Sequence, residues 1–195
     1  EQITDQGYIG NDAALLENLE GERVMETSRF LVQITLGKPI GGGPAQRLLM
    51  QHAESMAKAL SVMDGETLID KAVAYVKLTD LRIWTGTYAS CLIDMVPDRS
   101  SCNPHASLLT VRALPNFGLR SPGLCAGCRC CIILPEHREF WEDRLLKNQA
   151  IVQADRINSK DQRSKIAMSR IVQSRAVLEM ISKATGDASD RSGGS

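Results

Sequence analysis

The sequence predicts a mainly α-helical protein in which helical hairpins flank a small cysteine-rich, zinc-ribbon-like nodule with one or two short strands. Apolar residues recur at helical spacing over most of the chain. Residues that favour extended backbone cluster only between Leu81 and Ile93. All six cysteines lie between residues 91 and 131, around a Pro-rich stretch (94–124). This stretch is long for a loop that no bound metal ion or other crosslink holds in place.

Composition excludes several functional classes. The chain has 195 residues with 23 basic and 23 acidic side chains, and this zero net charge argues against a strong nonspecific DNA binder. Aromatic residues make up only 4%, which argues against a base-stacking platform. The chain opens with polar residues, and no apolar run approaches ~18 residues, so we expect a cytoplasmic protein without a membrane partner.

The first third of the chain predicts three helical segments. Residues 11–37 form the first, in which Gly21 weakens the middle, so the segment is one helix or two. The run Gly41–Pro44 predicts a hinge or linker; no Gly-Lys-Ser/Thr follows it, which excludes a phosphate-binding loop. A helical hairpin follows, its first helix carrying one apolar face: Leu49, Ala53, Met56, Leu60 and Met63.

The remaining elements surround the cysteines. The aromatic and β-branched residues between 81 and 93 predict a short strand or hairpin that delivers Cys91 to the nodule. Residues 136–156 and 160–184 predict two packed helices, and the Gly/Ser-rich residues 186–195 a disordered tail.

The cysteine pattern predicts a structural Zn²⁺ site. Cys125 and Cys128 have the C-x2-C spacing that grips one ion from a single turn, and Cys91 with Cys102 completes a tetrahedral set. His105, Cys130 and Cys131 are alternative ligands. Two other interpretations stay open, namely buried free thiols and disulfides. A thioredoxin-like redox role requires a βαβ setting that the sequence does not show.

Two segments resemble bacterial tyrosine recombinases of the phage-integrase class. Thr4, Tyr8 and Ile9 resemble the segment that carries the nucleophilic tyrosine. The cysteine-bearing segments resemble the C-terminal extension of some mobile-element integrases, including the acidic-aromatic helix start that follows it. These segments are 90–94, 101–106, 115–117, 122–128 and 135–141.

This resemblance implies a function. Tyr8 would be the nucleophile that forms a 3′-phosphotyrosyl bond, but the upstream catalytic residues of the family are absent from this chain, so it would not cleave DNA alone. Residues 1–40 would be the tail of the catalytic domain with its following helix, and residues 41–185 a helical zinc-binding C-terminal domain. The role of this C-terminal domain would be DNA contact or assembly into a homo-oligomer.

The most basic region offers a candidate DNA contact. It contains Arg156, Lys160, Arg163, Lys165 and Arg170. These side chains form either a solvated helix face or a surface for DNA phosphates. A second functional class is also compatible with the sequence: a freestanding zinc-binding adaptor that binds a protein partner through its helices.

Overall fold

The computed structural model describes residues 13–60, 67–93, 100–103, 115–154 and 162–186. Six α-helices occupy most of these ranges, and a 3-10 turn at Pro135–His137 leads into the fifth, so the predicted helical class is confirmed. The helices are α1 (Ala13–Thr35), α2 (Gln46–Leu60), α3 (Leu68–Thr79), α4 (Pro122–Cys125), α5 (Arg138–Ala154) and α6 (Gln162–Thr185).

A three-stranded antiparallel sheet lies among the helices, where the sequence predicted one or two strands. Its order is β1 (Arg82–Trp84), β2 (Ser90–Ile93) and β3 (Cys131–Ile132). Cys91 on the central strand β2 stands opposite Trp84 on one side and Cys131 on the other. Directly opposed residues share one face of a sheet, so the pairing brings Cys91 and Cys131 together across 40 positions of sequence.

One hydrophobic core joins α1, α2 and α3 to the sheet. Leu31, Leu49, Val76, Leu92 and Ile132 are all buried within it. The predicted apolar face of α2 is confirmed for the residues whose burial the structure describes, since Leu49, Ala53 and Met56 are buried. α3 begins at a capping box, in which the Thr67 hydroxyl accepts from the Asp70 amide.

Helix α1 continues through Gly21 without a break, so the segment is one helix. A glycine costs a helix about 1 kcal/mol relative to alanine. Val24, Thr27 and Leu31 lie on one side of α1 and are buried, and this packing offsets that cost. Gly37 ends the segment with a φ of 95°, in the left-handed region that glycine adopts readily.

The glycine run 41–43 is packed into the protein, in contrast to the hinge or linker that the sequence predicted. Gly42 exchanges two backbone hydrogen bonds with Ile133, at 3.1 and 2.9 Å. Gly43 has a φ of 103°, and a Cβ at this position would lie 2.5 Å from the Cys131 carbonyl oxygen. Glycine is needed here because two backbone segments pass this closely, so the run is a docking segment for the end of β3.

Helices α5 and α6 form the predicted hairpin and cover the cysteine-bearing side of the sheet. Trp141 on α5 is fully buried, and its indole nitrogen donates a hydrogen bond to the Tyr88 carbonyl at 2.9 Å. Trp141 lies in a second hydrophobic core with Cys125 and Cys128 and with residues of α6 that include Val177. Within the described ranges, no helix combines the length and apolar character needed to cross a bilayer.

The core is continuous across residues 40 and 41, because Phe30 and Ile34 of α1 pack in the same cluster as Leu49 of α2. The division of the chain at this point, with residues 1–40 belonging to a recombinase catalytic domain, stays a prediction. Residues 187–195, the greater part of the predicted tail, lie outside the described residues.

Candidate metal centre

Three separate segments deliver the six cysteines to one region, here called the thiol cluster. Strand β2 carries Cys91, the short segment 100–103 carries Cys102, and residues 125–131 carry the remaining four. All six side chains are buried, and none forms a disulfide. The thiol cluster therefore has the donors of a metal site in a water-poor environment.

The C-x2-C pair is held by consecutive tight turns. Ser121 caps the short helix α4, its hydroxyl accepting from the Leu124 amide at 3.3 Å. The Cys128 amide then donates to the Cys125 carbonyl at 3.0 Å, and the Cys131 amide to the Cys128 carbonyl at 3.0 Å. These bonds turn the chain twice within seven residues and place Cys125 and Cys128 in the same buried cluster as Cys131 of β3.

A backbone-to-sulfur hydrogen bond ties the second segment to this pair. The Ser101 amide donates to Cys128 Sγ at 3.2 Å. Within the same segment, the Cys102 thiol donates to the Ser100 hydroxyl at 3.6 Å, and the Asn103 amide donates to the Ser100 carbonyl at 3.0 Å. The segment that carries Cys102 is thus held beside Cys128, although 26 positions separate the two cysteines in the sequence.

The thiols do not share one electrostatic environment. The pKa of Cys91 is raised to about 12, chiefly by burial; Arg120 lowers it, and the nearby thiols of Cys125, Cys128 and Cys102 contribute to the increase. Burial and the same kind of thiol neighbours raise the pKa of Cys131 to about 12. Hydrogen bonds from Cys130 and Ser101 lower the pKa of Cys128 to about 5, despite its burial. Several thiolates can coexist here only with a cation to offset their charges.

Two residues outside the cysteine pattern belong to this region. Burial lowers the pKa of Arg120, but the adjacent Cys91 and Cys125 thiols, the latter hydrogen-bonded to it, outweigh burial and raise it. Its guanidinium also donates to the Ala89 carbonyl at 3.1 Å and lies 5.8 Å from the Tyr88 ring centre. Burial and the Cys125 thiol raise the pKa of Tyr88.

Neither Arg120 nor Tyr88 is among the predicted site residues. No local pattern marks either as a neighbour of the thiols. The signal available was proximity in sequence, since Tyr88 is three residues before Cys91 and Arg120 five before Cys125.

The donor set fits zinc in type and number. Four buried thiols are the usual ligands of a structural zinc ion, and an N–H···S bond such as that of Ser101 suits a metal-bound thiolate. Cys91, Cys102, Cys125 and Cys128 would hold the ion. The described part of the chain contains no three His, Cys, Asp or Glu side chains already spaced to hold a metal, so the zinc-ribbon-like nodule is not confirmed.

The other predicted site residues are only partly described. Tyr8, His105, Arg156 and Lys160 lie outside the described residues. Arg163, Lys165 and Arg170 are exposed on α6, and Arg163 and Arg170 lie two turns apart on one face because they are seven residues apart.

The chain matches no protein-family model, no curated protein and no solved structure.

Proposed function

We propose that this chain is the C-terminal portion of a site-specific DNA integrase of the tyrosine-recombinase class, with Tyr8 as the nucleophile of the parent enzyme. A Zn²⁺ ion bound by Cys91, Cys102, Cys125 and Cys128 stabilises its helical C-terminal region. That region contacts DNA or assembles protomers in the cytoplasm. The family assignment rests on the sequence resemblance.

The single observation that supports the zinc-stabilised module is the convergence of cysteines from three segments beside the sheet. The Cys91 thiol is close enough to those of Cys102, Cys125 and Cys128 for each to raise its pKa. A zinc ion would offset these charges and clip the intervening loop, which is the usual role of a structural site. It would also fix the sheet against the α5–α6 hairpin, since Cys125 and Cys128 pack in the same core as Trp141.

Two surfaces suit the assigned roles. On α6, Arg163, Lys165 and Arg170 supply exposed cations for a DNA backbone. On α1, Leu15 and Leu19 are 38% and 51% exposed one turn apart, which suits contact with another protomer. A few phosphate contacts from a chain of zero net charge would give weak, salt-sensitive binding.

A salt series of DNA-binding measurements tests the proposal. Fluorescence anisotropy with a labelled duplex should give a linear log–log plot of affinity against salt. Replacing Arg163, Lys165 and Arg170 by Gln should reduce the slope by about 0.9 per phosphate contact removed. The matched control is Lys77→Gln, at an exposed position on α3. Binding that ignores salt and all of these changes would contradict a DNA-contact role.

The adaptor function remains the second candidate, and one observation favours it. Leu146 on α5 and Val172 on α6 are 67% and 64% exposed, an apolar character that suits a partner helix better than a phosphate backbone. An adaptor predicts that DNA leaves the protein's sedimentation and thermal unfolding unchanged at all salt concentrations. DNA-dependent changes in either measurement would favour the integrase.

A further inference from the structure

A groove of about 680 Å³ lies between α4, α5 and α6, apart from all six cysteines. This volume is within the range of small-molecule sites. Its lining combines charged, amide and apolar side chains, among them Arg144, Lys147, Asn148, Ile151, Ile166 and Arg170.

The groove carries an excess of positive charge. Lys147 pairs with Asp143 at 2.7 Å. Among the described residues, no carboxylate lies within ion-pair distance of Arg144 or Arg170, and Arg144 instead donates to the Gln173 side chain at 3.3 Å. Two guanidinium groups without carboxylate partners, on facing helices of one groove, suit a phosphate or another anion.

Asn148 adds a second requirement, a hydrogen-bond donor, which a simple anion does not supply. It is only 5% exposed and lines the groove. Its amide nitrogen donates to the Arg144 carbonyl at 2.7 Å, which fixes the orientation of the amide group. Its Oδ1 atom is buried without a hydrogen-bond partner. A buried unsatisfied acceptor destabilises a protein by about 1–3 kcal/mol, so a small shift of the Asn148 side chain toward the groove would let a ligand donor satisfy this atom.

The apolar lining narrows the class of ligand further. Ile151 of α5 and Ile166 of α6 border the groove from facing helices, and Phe140 and Pro122 also line it. Such side chains suit the flat face of a planar ring more than an extended charged peptide.

We propose that this groove binds a nucleotide. Arg144 and Arg170 contact the phosphate, Asn148 Oδ1 accepts from an amino or hydroxyl group, and the apolar side chains cover the base. A free mononucleotide and one nucleotide of a DNA single strand present the same chemistry. The inference does not rest on the integrase assignment, since neither the thiol cluster nor Tyr8 takes part.

Calorimetric titration of the full chain with deoxyadenosine monophosphate tests the proposal. Arg170→Gln should weaken binding about tenfold, the loss expected for one charge-assisted contact. Arg175→Gln, at an exposed α6 position that does not line the groove, is the matched control and should leave affinity unchanged. Deoxyadenosine, which lacks the phosphate, should bind at least about tenfold more weakly than the nucleotide.

Asn148→Leu separates a binding role from a structural one. It removes the unsatisfied oxygen and introduces a better helix former, so thermal stability should rise while nucleotide affinity falls. A drop in stability with unchanged affinity would assign Asn148 a structural role and overturn the proposal.

A short single-stranded oligonucleotide distinguishes the two sources of the ligand. Binding of the mononucleotide identifies a free nucleotide site, whereas binding of the oligonucleotide alone identifies a strand site, provided that Arg170→Gln weakens it. The inference would be overturned if neither ligand binds at millimolar concentration, or if Arg170→Gln and Arg175→Gln lose affinity equally. Salt-dependent duplex binding through Arg163 and Lys165 could survive that failure, so the two proposals fail separately.

Discussion

The Ser101 amide donates a hydrogen bond to Cys128 Sγ at 3.2 Å, joining two cysteine-bearing segments that lie 27 residues apart. This bond favours the thiolate over the thiol and helps lower the pKa of Cys128 to about 5, after the larger effect of Cys130. It also brings the segment that carries Cys102 beside the C-x2-C pair. The thiol cluster thus depends on backbone geometry as well as on its six cysteines.

Ser101→Pro removes this donor and should weaken zinc retention. Protons compete with zinc for a thiolate, so a ligand with a higher pKa releases the ion at higher pH. The midpoint pH of zinc release, followed with a chromophoric chelator, should therefore move upward. Ser101→Ala keeps the amide and should shift it less; equal midpoints in all three proteins would contradict a role for the bond.

Arg120→Gln should weaken zinc binding by about tenfold, as expected for removal of a group that supports the ligands from outside the coordination sphere. The Arg120 guanidinium lies beside the Cys91 and Cys125 thiols and offsets part of the negative charge of a four-thiolate site. Competition with a chelator of known affinity measures the change.

Arg129→Gln is the matched control for Arg120→Gln. Arg129 is exposed and lies between Cys128 and Cys130 in the sequence. If the two variants lose the same affinity, the effect is general electrostatics and the specific role of Arg120 is refuted.

His137 should make stability fall in mild acid. Its Nδ1 accepts from the Leu134 amide at 3.0 Å, and burial lowers its pKa against the raising effects of Glu136 and a Gly86 hydrogen bond. The unfolded state then binds a proton below pH of about 6.5 while the folded state stays neutral. The free energy of unfolding therefore has its full value above that pH. Below it, the free energy of unfolding declines by up to about 1.4 kcal/mol per pH unit.

His137→Asn isolates this contribution. Asparagine can keep an acceptor near the Leu134 amide but does not titrate. Acid release of zinc affects both proteins alike and cancels in their difference. Urea unfolding at several pH values should show a difference in stability between wild type and variant that changes below pH of about 6.5. A pH-independent difference would show that His137 is not the titrating group.

Gly43→Ala and Gly21→Ala should have opposite effects on stability. At Gly43, the φ of 103° and the Cys131 carbonyl oxygen, which would lie 2.5 Å from an alanine Cβ, oppose any side chain, so the variant should lose about 2 kcal/mol or more. Nothing lies within 4 Å of a Cβ at Gly21, and alanine in this helix should add about 0.5–1 kcal/mol. Chemical unfolding measures both; destabilisation of equal size would contradict the assigned roles.

Local pattern was enough to predict the five longer helices and the β1–β2 hairpin, but not the four-residue helix α4. Periodicity placed Leu49, Ala53 and Met56 on a buried face, and β-branched and aromatic residues marked strands near Ile83 and Leu92. These features depend on residues a few positions apart, which a sequence displays directly.

The remaining features depend on contacts between distant segments. Strand β3 has only two residues and exists because Cys131 pairs with Cys91. The run 41–43 consists of three glycines, a composition typical of flexible linkers. It is part of the interior only because it pairs with Ile133. The groove beside Asn148 arises from two helices and a turn meeting, so no motif marks it.

Metal content of the purified, untagged protein tests the zinc-stabilised module most directly. Mass spectrometry should find about one zinc ion per chain, as in four-thiolate structural sites. Cys91→Ser and Cys125→Ser should lose both the ion and the cooperative unfolding transition, whereas Cys130→Ser should keep them. Protein without zinc, with reduced cysteines and with variants as stable as the wild type, would contradict the account.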